Sequence, residues 1–180
     1  SNVEDYLTSL ELKITIFEND KNIIPRISQL TQKTNQFNVT SKRYSESDIQ
    51  NFIDEPNTFV FAFSTRDRFG DSGITGLSIV NSNSNNQTAE IDTLLMSCRV
   101  IGRNIQYAFV DYIIDNVKKN KIKYLKARFI KSNKNEQVKE FFDSCSFVLT
   151  ESNEAVRNYT LSVNTYNPKQ LKYIEVTNNL

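Results

Sequence analysis

From Glu11 to Phe17 apolar and polar positions alternate, with Leu12, Ile14 and Ile16 on one side, and this period of two predicts a first strand. Asn19, Asp20 and Asn22 break the pattern, and Pro25 then stands where the first turn of a helix tolerates it. Ile23, Ile27 and Leu30 fall on one face, which predicts a helix reaching about Lys33. Thr34 to Asn38 is polar around Phe37 and reads as a loop; Lys42 to Tyr44 reads as a short strand. Ser45 or Ser47 caps the next helix, which carries Ile49, Phe52 and Ile53 and stops before Pro56. Phe59 to Ser64 and Ile74 to Val80 are strands joined through RDRFGDSG, and the polar run Asn81 to Gln87 is an exposed hairpin loop.

Ile91 to Met96 has the apolar and threonine content of a strand at least half buried. A helix follows from about Arg103, with Ile105, Phe109, Tyr112, Ile113 and Val117 in register and Lys118 and Lys119 at its C-terminal end. Ile122 to Ile130 alternates as another strand, and Asn133 with Glu136 caps a helix presenting Val138, Phe141 and Phe142. Phe147 to Thr150 and Tyr159 to Val163 form a closing antiparallel pair, and the chain is weakly patterned from Asn167. The order β–α–α–β–β–β–α–β–α–β–β predicts one α/β (α+β) domain over 3–166, a mixed, mostly antiparallel sheet with helices on both faces, and a tail over 167–180.

Composition narrows the chemistry. With 180 residues the chain has the size of one domain, and no apolar run approaches the ~18 residues of a membrane span. Glu4 and Asp5 near the start argue against a signal peptide, so a cytoplasmic setting is expected. Histidine is absent, which removes Ser–His and Cys–His catalysis and histidine-ligated metal; no metal is expected. Cys98 and Cys145 make neither a metal cluster nor a disulfide framework. A net charge of +1 gives no case for nucleic acid or an anionic membrane. Lys118 to Lys134 nevertheless holds eight basic residues and no acidic one, either as solvated surface or as a docking face for an acidic partner.

The stretch Glu90 to Asn104, EIDTLLMSCRVIGRN, joins strand to helix through a turn at Gly102. Such a turn aims free backbone N–H groups and a helix dipole at one spot, which favours an anion. Arg99 and Arg103 flank it and add charge-assisted donors; the alternative is an ordinary joint with solvated arginines. Strand parity puts Glu90, Asp92, Leu94, Met96 and Cys98 on one face, with Cys98 beside the turn. A helix N-terminus and two arginines suit a nucleophilic thiol, although buried, inert cysteine is common. Cys145, between Phe142 and Phe147, reads as core. Asp92 is a candidate base or orienter for a substrate in the cleft, or a surface carboxylate; Asp67 and Arg68 are a substrate clamp or a simple turn ion pair.

The topology and the segment Arg99-Val100-Ile101-Gly102-Arg103-Asn104 resemble the acyl-coenzyme-A signature of the GCN5-related N-acetyltransferase (GNAT) fold, Q/R-x-x-G-x-G/A, with Asn104 in place of glycine or alanine. The resemblance implies that the turn amides, with Met96 ahead of them, hold the pyrophosphate of coenzyme A, and that Asn135 touches its pantetheine arm. It also implies that Asn35, Gln36 and Phe37 line the acyl-acceptor side.

A narrower resemblance rests on Arg26 to Asn38 (RISQLTQKTNQFN), Asp67 to Gly73 (DRFGDSG), Ile91 to Arg103 and Lys134-Asn135, which together look like the C-terminal part of FkbH-like proteins. Ser146 departs from the usual glycine. That likeness implies an acyltransferase half cut from a longer chain with an N-terminal haloacid-dehalogenase-type phosphatase domain. It implies loading of a glyceryl unit from 1,3-bisphosphoglycerate onto an acyl carrier protein, toward methoxymalonyl extender units. Cys98 would carry the thioester, coenzyme A or the carrier's phosphopantetheine would be the thiol, and Lys131 and Lys134 would meet the acidic carrier. Two other readings stand beside it: an acetyl-coenzyme-A-dependent amine acetyltransferase, and a non-catalytic carrier-protein docking module.

Overall fold

The computed structural model describes residues 2–179. In chain order it comprises α1 (Asn2–Ser9), β1 (Leu12–Glu18), α2 (Ile24–Lys33), α3 (Glu46–Asp54), β2 (Thr58–Asp67), β3 (Gly70–Asn83), β4 (Thr88–Met96), α4 (Ile105–Lys119), β5 (Tyr124–Ile130), α5 (Phe141–Ser144), β6 (Val148–Ser152), β7 (Val156–Ser162) and β8 (Ile174–Asn178). All eight strands form one sheet in the order β6-β7-β5-β4-β3-β2-β1-β8. The β1–β2, β2–β3, β3–β4, β5–β7 and β6–β7 pairs are antiparallel, while β4–β5 and β1–β8 are parallel.

Alternation along the strands divides the apolar residues between two cores. Leu12, Ile14 and Ile16 of β1, Phe61 and Phe63 of β2, and Leu125, Ala127 and Phe129 of β5 pack under α4 and α5. Val60 and Ala62 of β2 with Leu77 and Ile79 of β3 pack under α2 and α3 through Ile24, Ile27, Leu30 and Ile49. Burying one such side chain stabilises the fold by about 1.5–3 kcal/mol, so the two cores outweigh any single polar contact. The start of α3 follows its cap: Ser45 and Asp48 exchange side-chain and backbone bonds there as a capping box.

Four elements differ from the sequence pattern. The helix expected from a cap of Asn133 with Glu136 is a one-turn 3-10 helix, Glu136–Val138, without a side-chain cap, followed by the short α5. Lys42 to Tyr44 is not a strand; its backbone is held by side chains of α2, with Ser28, Thr31 and Gln32 all donating to the Tyr44 carbonyl. Residues 2–9 form a helix whose Leu7 plugs the larger core. The tail is no appendage, because β8 extends the sheet beside β1 and Ile174 joins the core. A domain limit at 166 therefore cuts through the packed unit.

One irregularity shapes everything near the site. Ile79 pairs with Thr93 but its neighbour Val80 pairs with Ile91, so Asp92 is an extra residue in β4. A β-bulge bends its strand and reverses the in–out alternation beyond it. Ile91 and Leu94 consequently face the same core, where an unbroken strand would oppose them. The parallel ladder with β5 ends there too, at Ile91 opposite Ala127. Beyond that point β4 and β5 separate.

Candidate functional site

The end of β4 turns outward at Ser97 into a one-turn 3-10 helix, Cys98–Val100. Val100 is fully buried and anchors this turn, which leaves the Cys98 thiol exposed. The thiol lies in a cleft of about 490 Å³ with Arg26, Leu30 and Lys33 of α2, Thr34 to Gln36, Ser97 and Lys134. Its lining holds three cations and no carboxylate. Burial, and then the neighbouring Arg99 guanidinium, hold the Arg26 pKa below its ordinary value. Arg26 is held in place by a bond from its Nε to the Ile74 carbonyl at 3.2 Å.

Several expected site residues are elsewhere. The bulge carries Asp92 to the α2–α3 face, where its carboxylate accepts from Lys42 Nζ at 2.7 Å, Tyr44 Oη at 2.7 Å and Thr93 Oγ1 at 2.8 Å. With its side chain 12% exposed and three donors upon it, Asp92 is a structural anchor and does not line the Cys98 cleft as a base or orienter for a substrate. Met96 is buried in the core and its amide donates to the Phe37 carbonyl. Val100 and Ile101 pack against the same core. Asp67 pairs with Arg103 at 3.0 Å, and Arg68 lies over the Phe69 ring, so Asp67 and Arg68 form no clamp.

The Gly102 turn and the thiol open into different clefts. Gly102 has φ +93° and Asn104 φ +64°, both left-handed, and they deliver the chain into α4. Of the expected donors the Ile101 amide is spent on the Cys98 carbonyl at 3.3 Å, while among the described residues no backbone bond uses the amides of Gly102, Arg103 or Asn104. Their surroundings differ from expectation: Asn104 Nδ2 donates to Tyr173 Oη at 2.8 Å, and Asn104 shares its cleft with Val3, Glu4, Leu7 and residues 169–173. Arg103 is turned to Asp67 and Arg99 to the Ser72 carbonyl. The intervening 3-10 turn, pinned by Val100, separates Cys98 from this end of α4.

Of the expected acceptor-side residues, Asn35 and Gln36 reach the Cys98 cleft. Phe37 instead turns inward, 5% exposed, with its ring edge-on to Phe141 at 5.2 Å. Asn135 is fully buried; both its N–H groups are spent on the carbonyls of Asn38 and Ile130, and its Oδ1 accepts from the Ser132 amide. Its side chain has no donor left for a pantetheine arm. Lys134 rims the Cys98 cleft, whereas Lys131 faces the β6–β7 turn beside Ala155. The sequence pattern did not single out Arg26 or Lys33, although residues seven apart on a helix share a face, with Leu30 between them.

The residues therefore do not fit coenzyme A's thiol arm between β4 and β5. Residues 37–40 hydrogen-bond to both strands there, and the arm's implied partner, Asn135, is saturated.

No protein-family model and no curated protein matches the sequence. Solved structures do match. The ribosomal-protein-S18-alanine N-acetyltransferase from Escherichia coli superposes with TM-score 0.65 at 11% identity, covering 87% of this chain and 97% of that one. A spermidine N-acetyltransferase variant from Vibrio cholerae gives 0.62 at 13% identity over 87% and 96%. A domain from Methanocaldococcus jannaschii gives 0.63 at 19% over 84% and 99%. Identities this low carry the fold and not the activity. The chain has the mixed α/β fold of the GNAT N-acetyltransferases.

Proposed function

We propose that this domain is an acyltransferase that works through a covalent thioester on Cys98. The observation that carries the reading is the exposed thiol in a cleft bounded by Arg26, Lys33 and Lys134 with no carboxylate. In line with the FkbH-like sequence motifs, the donor is an acyl phosphate of the 1,3-bisphosphoglycerate type. The Cys98 thiolate attacks the acyl carbon, the carbon–oxygen bond to phosphate breaks, and inorganic phosphate leaves with the bonding pair. The three cations offset the phosphate charge through that step. The phosphopantetheine thiol of an acyl carrier protein then attacks the thioester, loses its proton to water, and releases Cys98 as thiolate. The full enzyme's phosphatase domain and the carrier protein are partners in this reading, with Lys134 at the rim of the Cys98 cleft.

The amine-acetyltransferase reading draws on the fold likeness to N-acetyltransferases, and the filled gap between β4 and β5 counts against it. Intact-mass analysis after mixing the protein with 1,3-bisphosphoglycerate tests the proposal. An acyl adduct should appear on the peptide holding Cys98 and vanish in Cys98→Ala, and holo carrier protein should discharge it. Carrier binding without any adduct would leave the domain a docking module, and acetyl transfer to an amine in Cys98→Ala would favour the acetyltransferase.

A further inference from the structure

Beyond Ile91 the facing edges of β4 and β5 have no ladder with each other, yet they are not bare. Residues 37–40 lie between them. The Val39 amide donates to the Leu94 carbonyl at 3.1 Å and the Met96 amide to the Phe37 carbonyl at 3.0 Å, around an antiparallel bridge of Asn38 with Leu95. On the other side the Ile130 amide donates to the Val39 carbonyl at 2.8 Å. Side chains complete the fit. Asn135 Nδ2 reaches the Asn38 carbonyl at 2.9 Å, Thr40 Oγ1 takes the carbonyl of the bulged Asp92 at 2.8 Å, and Asn38 Nδ2 donates back to Thr34 at 3.1 Å. All four residues are at least 95% buried, and Phe37 is stacked edge-on against Phe141 beneath them.

A thiol arm running from the turn after β4 to Asn135, after β5, has to cross this same opening. Leu94 and Met96 would offer it a carbonyl and an amide, and both are already spent on the chain. We propose that residues 37–40 are a built-in segment, bridged to β4 at Asn38, that takes the place of the coenzyme arm, so that coenzyme A does not enter the gap and a thiol substrate meets the domain from outside. At the head of α4 the flanking side chains are engaged by the chain, Arg103 with Asp67 and Asn104 with Tyr173, while the amides of Gly102, Arg103 and Asn104 stay free; the proposal therefore concerns the gap between β4 and β5 and not the turn. The inference goes beyond the covalent reading and stands whether or not Cys98 carries an acyl group.

A buried amide bonded into a sheet exchanges its hydrogen about as slowly as the sheet around it. Hydrogen exchange on the whole chain, read by NMR with and without millimolar coenzyme A and acetyl-coenzyme A, tests this. The amides of Val39, Met96 and Ile130 should be protected to within about tenfold of Leu77 in β3, and neither ligand should change them. Ligand binding at another face with these three amides unmoved also leaves the gap closed and supports the proposal. Loss of Val39 protection on adding either ligand, with Met96 and Ile130 still protected, would mean that the arm displaces the segment, and the proposal fails. Rapid exchange at all three without ligand would equally overturn it. Cys98 adduct formation is read separately by mass, so either proposal can fail alone.

Discussion

The two cysteines are set apart by burial. Cys98 is exposed at the cleft, whereas Cys145 is 1% exposed among Phe142, Phe147 and Tyr159, and burial pushes its thiol up to about 12. Iodoacetamide near neutral pH should therefore alkylate Cys98 at least tenfold faster than Cys145, read by peptide mass spectrometry, and denaturant should erase the difference. Gly76 illustrates a constraint that pattern does not reveal. A Cβ there would sit 1.8 Å from Cε2 of Phe63, which is fully buried against Phe109. Gly76→Ala should lower unfolding stability by about 1–3 kcal/mol in a urea titration; an unchanged midpoint would mean that the Phe63 ring shifts freely. Asp92 shows how far a residue's role depends on register. Its type and position suggested a base, and one extra residue in β4 turned it into the acceptor of three internal bonds.

At the scale of elements, the inserted segment depends on Asn135. Asn135→Ala would leave the buried carbonyl of Asn38 and the part-buried carbonyl of Ile130 and amide of Ser132 without this partner. An unmet buried polar group costs about 1–3 kcal/mol, so a loss of about 2–4 kcal/mol is expected, with faster exchange at Val39 as the local signature. A stability loss without that signature would show that Asn135 does not hold the segment. The basic run also divides by element. Lys134 belongs to the thiol cleft, Lys131 to the β6–β7 side, and Lys118 and Lys119 to the far end of α4, where Lys119 pairs with Asp115 at 2.9 Å. Lys33→Glu and Lys134→Glu should weaken binding of an acidic carrier protein by several-fold in calorimetry, and Lys118→Glu or Lys119→Glu should not. The difference should fade in 1 M salt, where the Debye length is ~3 Å. Equal effects at all four positions would reduce the run to solvated surface.

For the molecule as a whole, four tyrosines and one cysteine tie the fold to its protons. Burial, chiefly, pushes Tyr159 up to about 12 from 10.0 and Cys145 up to about 12 from 9.0, and it raises Tyr44, Tyr112 and Tyr166 as well. Hydrogen bonds to Asp92, Glu18, Asp143 and Asp111 add to the rise in the four phenols. The folded chain keeps these protons where the unfolded chain loses them. Their contribution to stability is therefore complete below about pH 9 and is lost as pH rises toward 12. Near-ultraviolet circular dichroism should show alkaline unfolding in that window, with phenolate absorbance at 295 nm rising in step; full phenolate signal with intact dichroism would contradict it.

The alternating and helical periods of the chain determined by themselves that β1 to β7 and α2 to α4 exist, because burial of one face is a local requirement written into residue spacing. They determined equally that the chemistry has no histidine and that Cys145 is core. Tertiary structure decided the rest. β8 draws its stability from the edge of β1 and not from its own pattern. The polar run ending in Phe37 and Asn38 looks like a loop by composition and is one, yet it is buried and bridged to β4 because β4 and β5 part around it. Cys98 meets Lys33 and Lys134 only when α2, the end of β4 and the segment after β5 converge. Which side of β4 a residue faces was settled by a single bulge, and a period of two has no way to announce where it slips.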